Sequence, residues 1–144
     1  MSYSQIKTRC EFNGTTQRVA IETNIRTGNQ KCTIIGMPET QVRESIDRVS
    51  SAIIASGYSM PEDHITINLT PGNIPKRGCH FDLAIALGIL LAAKQIKKNC
   101  KQEIEVFGEL RLDGKITGSK DYMPLIYQTW LDQTELIYPK NIEP

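Results

Sequence analysis

A loop with two adjacent basic residues is the first place in this sequence where chemistry can be expected. Residues 71–78 read PGNIPKRG, and the two prolines and two glycines exclude regular secondary structure there. A strongly apolar segment follows directly. The first amides of a helix lack intrahelical partners and carry partial positive charge, so a helix starting here would attract anions. Lys76 and Arg77 would add two full charges to such a site.

Spacing alone leaves two interpretations of this loop open. It is either a phosphate site or a tight connection with two solvated basic residues, since no complete Walker or Rossmann pattern occurs. The loop also lacks the consecutive small residues that let phosphate approach the backbone closely. A sugar-kinase-like interpretation is therefore weak.

The segments on either side of the loop must position it. Residues 64–70 alternate apolar and polar side chains, with Ile65, Ile67 and Leu69 on one face, which predicts a half-buried strand. Residues 81–93 are apolar nearly all round and have few β-branched side chains. This pattern predicts a central, buried helix.

The residues before this unit predict three strands and a helix. Strands are expected over 2–12, 17–26 and 31–35, joined by turns at Asn13-Gly14 and 27–30, and we interpret them as a β-meander. Pro38 suits the first position of a helix, and Gly57 suits its end. The expected buried face of this helix is Val42, Ile46, Val49 and Ile53, with Glu44 and Arg48 as an ion pair on the surface.

The last third of the chain predicts a strand over 104–107 and a hairpin turn at Asp113-Gly114. A helix over 121–133 should follow, with Met123, Ile126, Tyr127 and Trp130 as its apolar side, and then a strand over 135–138. The order of elements indicates an α+β fold, with helices packed on one face of a mixed sheet.

Composition limits the classes of function. The length of 144 residues fits one domain, residues 1–144, and the net charge of +1 creates no overall field toward DNA or membrane. Nucleic-acid binding would need a local patch, such as the lysines at 94, 97, 98 and 101, which otherwise read as a solvated helix end.

Cysteine usage and hydropathy bear on metals and compartment. The four cysteines form no CxxC pair, and Cys79-His80 has no second ligand pair nearby, so no metal site is expected. The polar start gives no sign of a signal peptide, and the longest apolar run is too short to span a bilayer. Free thiols and the missing export signal predict a cytoplasmic protein.

Sequence blocks between residues 30 and 116 carry a family resemblance. They are IGMPET (35–40), VRE (42–44), DRVSSAI (47–53), SGY (56–58), ITINLTP (65–71), IPKRG (74–78), FDLAIA (81–86), GEL (108–110) and LDG (112–114). Together they resemble the N-terminal domain of the ComM/YifB family of magnesium-chelatase-like AAA+ ATPases.

This resemblance implies a fold similar to the Lon protease catalytic domain, the C-terminal domain of the RadA repair protein and the second domain of a small-subunit ribosomal protein. It implies a parent protein in which an AAA+ module follows this domain. That parent is expected to be a hexameric DNA helicase that promotes branch migration in natural transformation. We therefore expect the chain to be a fragment, with ATP and Mg bound elsewhere in the parent. The implied partners are DNA, the AAA+ module and further copies, without a membrane.

The resemblance to Lon raises a peptidase hypothesis, which needs a serine nucleophile and an activating lysine. By the Lon pattern, the serine position falls on His80 and the lysine position falls on Met123. Both halves of the dyad are absent. Cys79 and His80 remain as a thiol and imidazole pair, but adjacent residues at a helix start rarely point at each other.

Two classes of function follow. The chain is either a non-catalytic accessory domain of an AAA+ DNA motor, aiding assembly or DNA contact, or a degenerate peptidase or phosphotransferase. We expect no catalytic residues. The candidates for contact with DNA or a partner are Lys76, Arg77, Gly78, His80, Lys97 and Lys98, assisted by the backbone amides before Asp82.

Overall fold

The computed structural model of the chain describes residues 2–99 and 101–142. A six-stranded mixed sheet forms its centre. Its strands are β1 Ser2–Phe12, β2 Thr15–Arg26, β3 Lys31–Ile35, β4 His64–Thr70, β5 Ile104–Val106 and β8 Glu135–Ile137. Their order across the sheet is β3-β4-β2-β1-β5-β8. A small hairpin joins β6 Glu109–Leu110 to β7 Ile116–Thr117, which confirms the turn predicted at Asp113-Gly114.

The predicted β-meander is wrong at its third strand. β1 and β2 form the expected antiparallel hairpin, but β4 lies between β2 and β3. β4 pairs antiparallel with β2 and parallel with β3, because the helix between β3 and β4 returns the chain to the same end of the sheet. β4 is therefore an interior strand, and Ile65, Ile67 and Leu69 are all buried.

The first helix, α1, spans Thr40–Ala55 and starts later than predicted. Pro38 does not occupy the first turn; it forms a parallel bridge with Lys76, and Glu39 is the N-cap. Two backbone hydrogen bonds hold this bridge, from Glu39 N to Lys76 O at 2.8 Å and from Lys76 N to Met37 O at 2.9 Å. The loop is thereby fastened to the start of α1. The predicted end is confirmed, since Gly57 follows the helix with a φ of 86°.

The predicted buried central helix is confirmed as α2, Phe81–Ala92. Its Gly88 carbonyl accepts a hydrogen bond from Ser4 Oγ at 2.6 Å, which places α2 on the sheet face that carries Ser4. α1 packs against α2, and both contribute to the main hydrophobic core.

The prediction that all helices lie on one sheet face is wrong. The third helix, α3, spans Met123–Leu131, and its Thr129 donates to Glu105 Oε1 at 3.0 Å. Glu105 is paired with Lys7, which points to the face opposite Ser4 because side chains alternate along a strand. α3 thus covers the second face near β5 and β8. It builds a separate small cluster of Phe107, Tyr122, Leu125, Ile126 and Ile142.

The apolar side predicted for α3 is also partly wrong. Leu125, Ile126 and Thr129 face inward, whereas Tyr127 is 57% exposed and Trp130 is 64% exposed. Helical spacing identifies a stripe of apolar residues but not which side of the stripe meets the sheet. Among the residues described, no helix has the length and apolar character needed to cross a bilayer.

Candidate functional site

Lys76 lies inside the molecule and not on its surface. Its side chain is fully buried, and Nζ donates to the Gly36 carbonyl at 2.9 Å and to the Pro71 carbonyl. Burial lowers the pKa of Lys76 from its ordinary value. The ammonium ties the loop to the end of β3, so the Lys76 side chain is not exposed to DNA phosphates in the folded chain.

Arg77 is the exposed basic residue of the loop. Its guanidinium pairs with Glu39 Oε1 at 3.0 Å, at the start of α1. Gly78 follows with a φ of 110°, and its amide donates to Gln41 Oε1 at 3.0 Å. A solvent-exposed pair of this kind is weak and exchanges readily, so Arg77 can still contact a partner.

His80 is buried and engaged with the backbone. Its Nε2 lies 2.7 Å from the Arg9 carbonyl, and its ring contacts Phe81, Phe107 and Tyr122. Burial lowers the pKa of His80 to about 4, so the ring is neutral at physiological pH. Since a carbonyl only accepts, Nε2 carries the ring proton. His80 is only 3% exposed, so its ring does not lie on the surface that DNA or a partner would contact.

The conformation of Gly78 depends on this buried ring. A Cβ at residue 78 would lie 2.6 Å from His80 Nδ1, and the positive φ disfavours any side chain there. Gly78 thus allows His80 to fold back beneath the loop. Its role is to shape the loop, whether or not it also touches a partner.

The two positions that a Lon-like peptidase would use for its dyad lie in one region. The His80 ring contacts Tyr122, and Met123 packs against the small cluster that contains Tyr122. Neither His80 nor Met123 carries a hydroxyl or an amine. The nearby Ser119 Oγ accepts from the Asp121 amide at 3.1 Å and so starts a short 3₁₀ turn.

Cys79 is not poised as a nucleophile. Burial, and secondarily the Glu109 carboxylate, raises the pKa of Cys79, so its thiol stays protonated at neutral pH. His80 Nε2 donates to the Arg9 carbonyl, and the unprotonated Nδ1 lies beneath Gly78. Within residues 2–99 and 101–142, no group of three His, Cys, Asp or Glu side chains forms a metal site.

A cleft of about 660 Å³ opens beside the loop. Its lining includes three carboxylates, Glu11, Glu109 and Asp121, and one guanidinium, Arg77, which is turned toward Glu39. The cleft is therefore acidic. Phosphate would be repelled there and not attracted.

Two amides at the start of α2 already have backbone partners. The Asp82 amide donates to the Cys79 carbonyl at 3.3 Å, and the Leu83 amide donates to the Gly108 carbonyl at 3.0 Å. These amides belong to Asp82 and Leu83, so the predicted assistance of the amides before Asp82 in DNA binding stays a prediction. Asp82 itself pairs with Arg48, whose Nε lies 2.7 Å from the Asp82 carboxylate.

A family model for subunit ChlI of Mg-chelatase matches residues 21–141. The chain belongs to this family. It is 43% identical over 118 residues to uncharacterized protein YifB of Escherichia coli, and the matched segment covers 82% of the chain and 23% of YifB. It is 35% identical over 141 residues to competence protein ComM of Haemophilus influenzae, covering 98% of the chain and 28% of ComM. These matches support the ComM/YifB branch of the family and its N-terminal domain.

Other relatives are more distant. The chain is 32% identical over 108 residues to uncharacterized protein Rv2897c of Mycobacterium tuberculosis, covering 75% of the chain and 22% of that protein. The chain thus spans about a quarter of the length of the curated relatives it matches.

In this ChlI-family domain, two of the candidate contact residues, Lys97 and Lys98, lie far from the loop. Lys97 and Lys98 are exposed and follow the C-terminal end of α2, whereas Arg77 precedes its start. A helix of 12 residues is about 18 Å long, so the structure does not bring the two groups together. Lys97 and Lys98 border a cavity of about 340 Å³ whose floor includes Leu87 and Leu91.

A buried ionic network was not foreseen from the sequence. On the α3 side of the sheet, the guanidinium of Arg9 contacts Glu105 and, at 2.7 Å, Asp132 Oδ2. Arg9 and Glu105 are each only 3% exposed, and Arg9 lowers the pKa of Asp132. These residues come from β1, β5 and the end of α3, so no local spacing could have revealed them. Their role is to join α3 to the sheet.

Because Lys76 is buried and Arg77 is exposed, their substitution should change the stability of the domain by very different amounts. We expect Lys76→Ala to lower the free energy of unfolding by about 3 kcal/mol, because it leaves a cavity and two carbonyls without their donor. The matched Arg77→Ala variant should stay within about 0.5 kcal/mol of the original chain. Urea unfolding of the two variants measures the difference, and equal stabilities would contradict the buried placement of Lys76.

The neutral state of His80 predicts a loss of stability in mild acid. The pKa of His80 in the folded chain, about 4, lies below the ordinary value of 6.5. Between these two pH values the unfolded chain therefore binds a proton at His80 that the folded chain does not bind. The free energy of unfolding should therefore fall as pH drops from 6.5 toward 4, by about 3 kcal/mol from His80 alone.

Urea unfolding across this pH window tests the effect. The control is His80→Gln, whose amide can still donate to the Arg9 carbonyl but does not titrate. Its stability should change much less between pH 6.5 and 4.5, and a slope as steep as that of the original chain would rule out His80 as the cause.

Proposed function

We propose that the chain is the non-catalytic N-terminal domain of a hexameric AAA+ DNA helicase of the ComM/YifB type. The motor would promote branch migration in natural transformation, and this domain would aid assembly or DNA contact. The term competence in the name of the Haemophilus influenzae relative is consistent with that process. We further propose that the α+β architecture is the Lon-like fold, shared with the RadA repair protein.

One observation carries the non-catalytic part of this proposal. His80 and Met123 stand where a Lon-like peptidase would need serine and lysine, and His80 is buried with its ring proton held by the Arg9 carbonyl. A hydroxyl nucleophile and its activating amine are both missing from those positions. The alternative, a degenerate peptidase or phosphotransferase, finds no support in the protonated Cys79 thiol or the acidic cleft.

ATP hydrolysis would belong to another part of the parent protein. The 144 residues contain no GxxxxGK[ST] sequence to cradle a triphosphate, so ATP and Mg would bind in the AAA+ module. We propose that this module and further copies of the chain are its partners in the cytoplasm.

The DNA contact fits the lysine end of α2 better than the loop. Lys94, Lys97, Lys98 and Lys101 lie within eight residues, and all four are exposed. The nearby Glu103 is neutralised by Lys7, which contacts it at 2.9 Å. By contrast, Arg77 stands beside an acidic cleft and pairs with Glu39. Phosphates favour the first surface, because DNA binding depends on uncompensated cations.

The absence of catalysis can be tested directly. We expect no cleavage of unfolded casein and no labelling by a serine-directed fluorophosphonate when the purified chain is incubated with either. The Cys79→Ala and His80→Gln variants serve as controls for any background. Turnover that the original chain shows and either variant loses would overturn the non-catalytic assignment.

DNA binding should depend on the lysine end of α2. In fluorescence anisotropy with branched and single-stranded DNA, the Lys97→Ala/Lys98→Ala double variant should flatten the slope of log K against log salt by about two. Arg77→Ala is the matched control, and its slope should remain within about 0.5 of the original.

If the slope flattens for Arg77→Ala and not for the lysine variant, the DNA contact is made by the loop and not by the lysine end of α2. If the original chain binds neither DNA, the proposed direct contact is wrong and only the assembly role remains.

A further inference from the structure

An exposed aromatic surface lies on the side of the domain that carries α3. We call it the aromatic face and define it by Tyr127, Trp130 and Tyr138, which are 57%, 64% and 37% exposed. They share one apolar hollow of about 270 Å³, which is lined by Met123, Ile126, Tyr127, Trp130, Leu136 and Tyr138. The face is therefore one continuous surface and not a set of scattered side chains.

The chemistry of the aromatic face is that of an interface. The rings of Tyr127 and Trp130 stack with their centroids 6.0 Å apart, which holds two large apolar side chains in place at the surface. Soluble monomers rarely expose continuous apolar patches, and tryptophan and tyrosine are enriched where proteins meet. Holding the rings in advance also reduces the entropy lost on binding.

The route of the chain indicates what covers this face. Ile142, the last residue described, is only 3% exposed and belongs to the small cluster with Tyr122, Leu125 and Ile126. The backbone therefore packs beneath α3 at residue 142. Tyr138 of the aromatic face lies four residues earlier, so residue 142 is within about 14 Å of it, and polypeptide that follows in a longer protein starts near this face.

The relatives of this domain are much longer than the domain itself. The domain corresponds to the N-terminal part of the ComM/YifB proteins, and it covers 23% and 28% of the YifB and ComM relatives. About three quarters of such a protein lies outside this domain. A module joined by a short linker has a high effective concentration at a neighbouring surface, so even modest apolar complementarity keeps it bound.

We propose that the aromatic face is the docking surface for the module that follows residue 144 in the full-length protein. That module covers Trp130 with an apolar surface of its own and so fixes the orientation of this domain on the motor. The inference rests on the proposed function in one respect, namely that the chain is one domain of a longer protein. It adds the residues through which the two parts meet.

Side-chain footprinting tests the docking surface. Hydroxyl radicals oxidise exposed aromatic side chains, and Trp130 is the only tryptophan in this chain. Oxidation of Trp130, Tyr127 and Tyr138 should fall about fivefold or more between the isolated chain and the full-length protein, as expected for residues at the centre of an interface. Tyr3 and Tyr58, which are 58% and 41% exposed elsewhere on the domain, are internal controls and should change little.

A charged substitution provides the matched perturbation. In the full-length protein, Trp130→Lys should return the oxidation of Tyr127 and Tyr138 to the level of the isolated chain, whereas Tyr3→Lys should not. Because Trp130 is exposed, Trp130→Lys should leave the thermal midpoint of the isolated chain unchanged. If that midpoint falls, Tyr127→Lys repeats the test at a second position of the face.

Two outcomes would overturn the proposal. Trp130 oxidised equally in both proteins means that no module covers it, and protection that rises with the concentration of the isolated chain assigns the face to a second copy. DNA titrations on the same samples separate this failure from failure of the proposed function. DNA binding through Lys97 and Lys98 with unprotected Trp130 rejects the docking alone, whereas protected Trp130 without DNA binding rejects the DNA contact alone.

Discussion

The carboxylate of Asp82 is completely buried and connects three elements of the fold. Its oxygens accept from Ser45 Oγ at 2.6 Å, from Arg48 Nε at 2.7 Å and from the Leu110 amide at 3.1 Å. The carboxylate sits in the first turn of α2, where negative charge complements the helix dipole. A buried carboxylate is stable only when its hydrogen bonds are satisfied, so α1 and the β6–β7 hairpin must keep their places around α2. The loop and the cleft are built on this arrangement.

The sequence predicts the local elements well because their information is local. β1 and β3 have their predicted bounds, α2 ends one residue earlier than predicted, and the Gly57 stop and the hairpin turn are in place. Alternation and helical spacing report which side chains are apolar, and turn residues report where the chain reverses. These signals need no knowledge of distant neighbours.

What the sequence could not predict depends on which elements become neighbours. The position of β4 between β2 and β3, and of α3 on the second sheet face, follows from pairing across many residues. The same holds for Lys76. Lysine is almost always exposed, so the sequence Lys76-Arg77-Gly78 is typical of a basic surface loop. Only the fold shows that the Gly36 and Pro71 carbonyls converge on the Lys76 ammonium.

Because Lys76 and His80 are buried, contact with a partner depends on the outer surfaces of the domain. Both residues hold the backbone: Lys76 fastens the loop to the end of β3, and His80 fastens the start of α2 to β1 through Arg9. Neither side chain is therefore free for chemistry or contact at the surface. The surfaces that remain differ in character, with lysines after the C-terminal end of α2, carboxylates around the cleft at its other end and aromatic rings on α3. Separate surfaces of unlike chemistry suit a domain that meets more than one partner, because each partner can be recognised without excluding another.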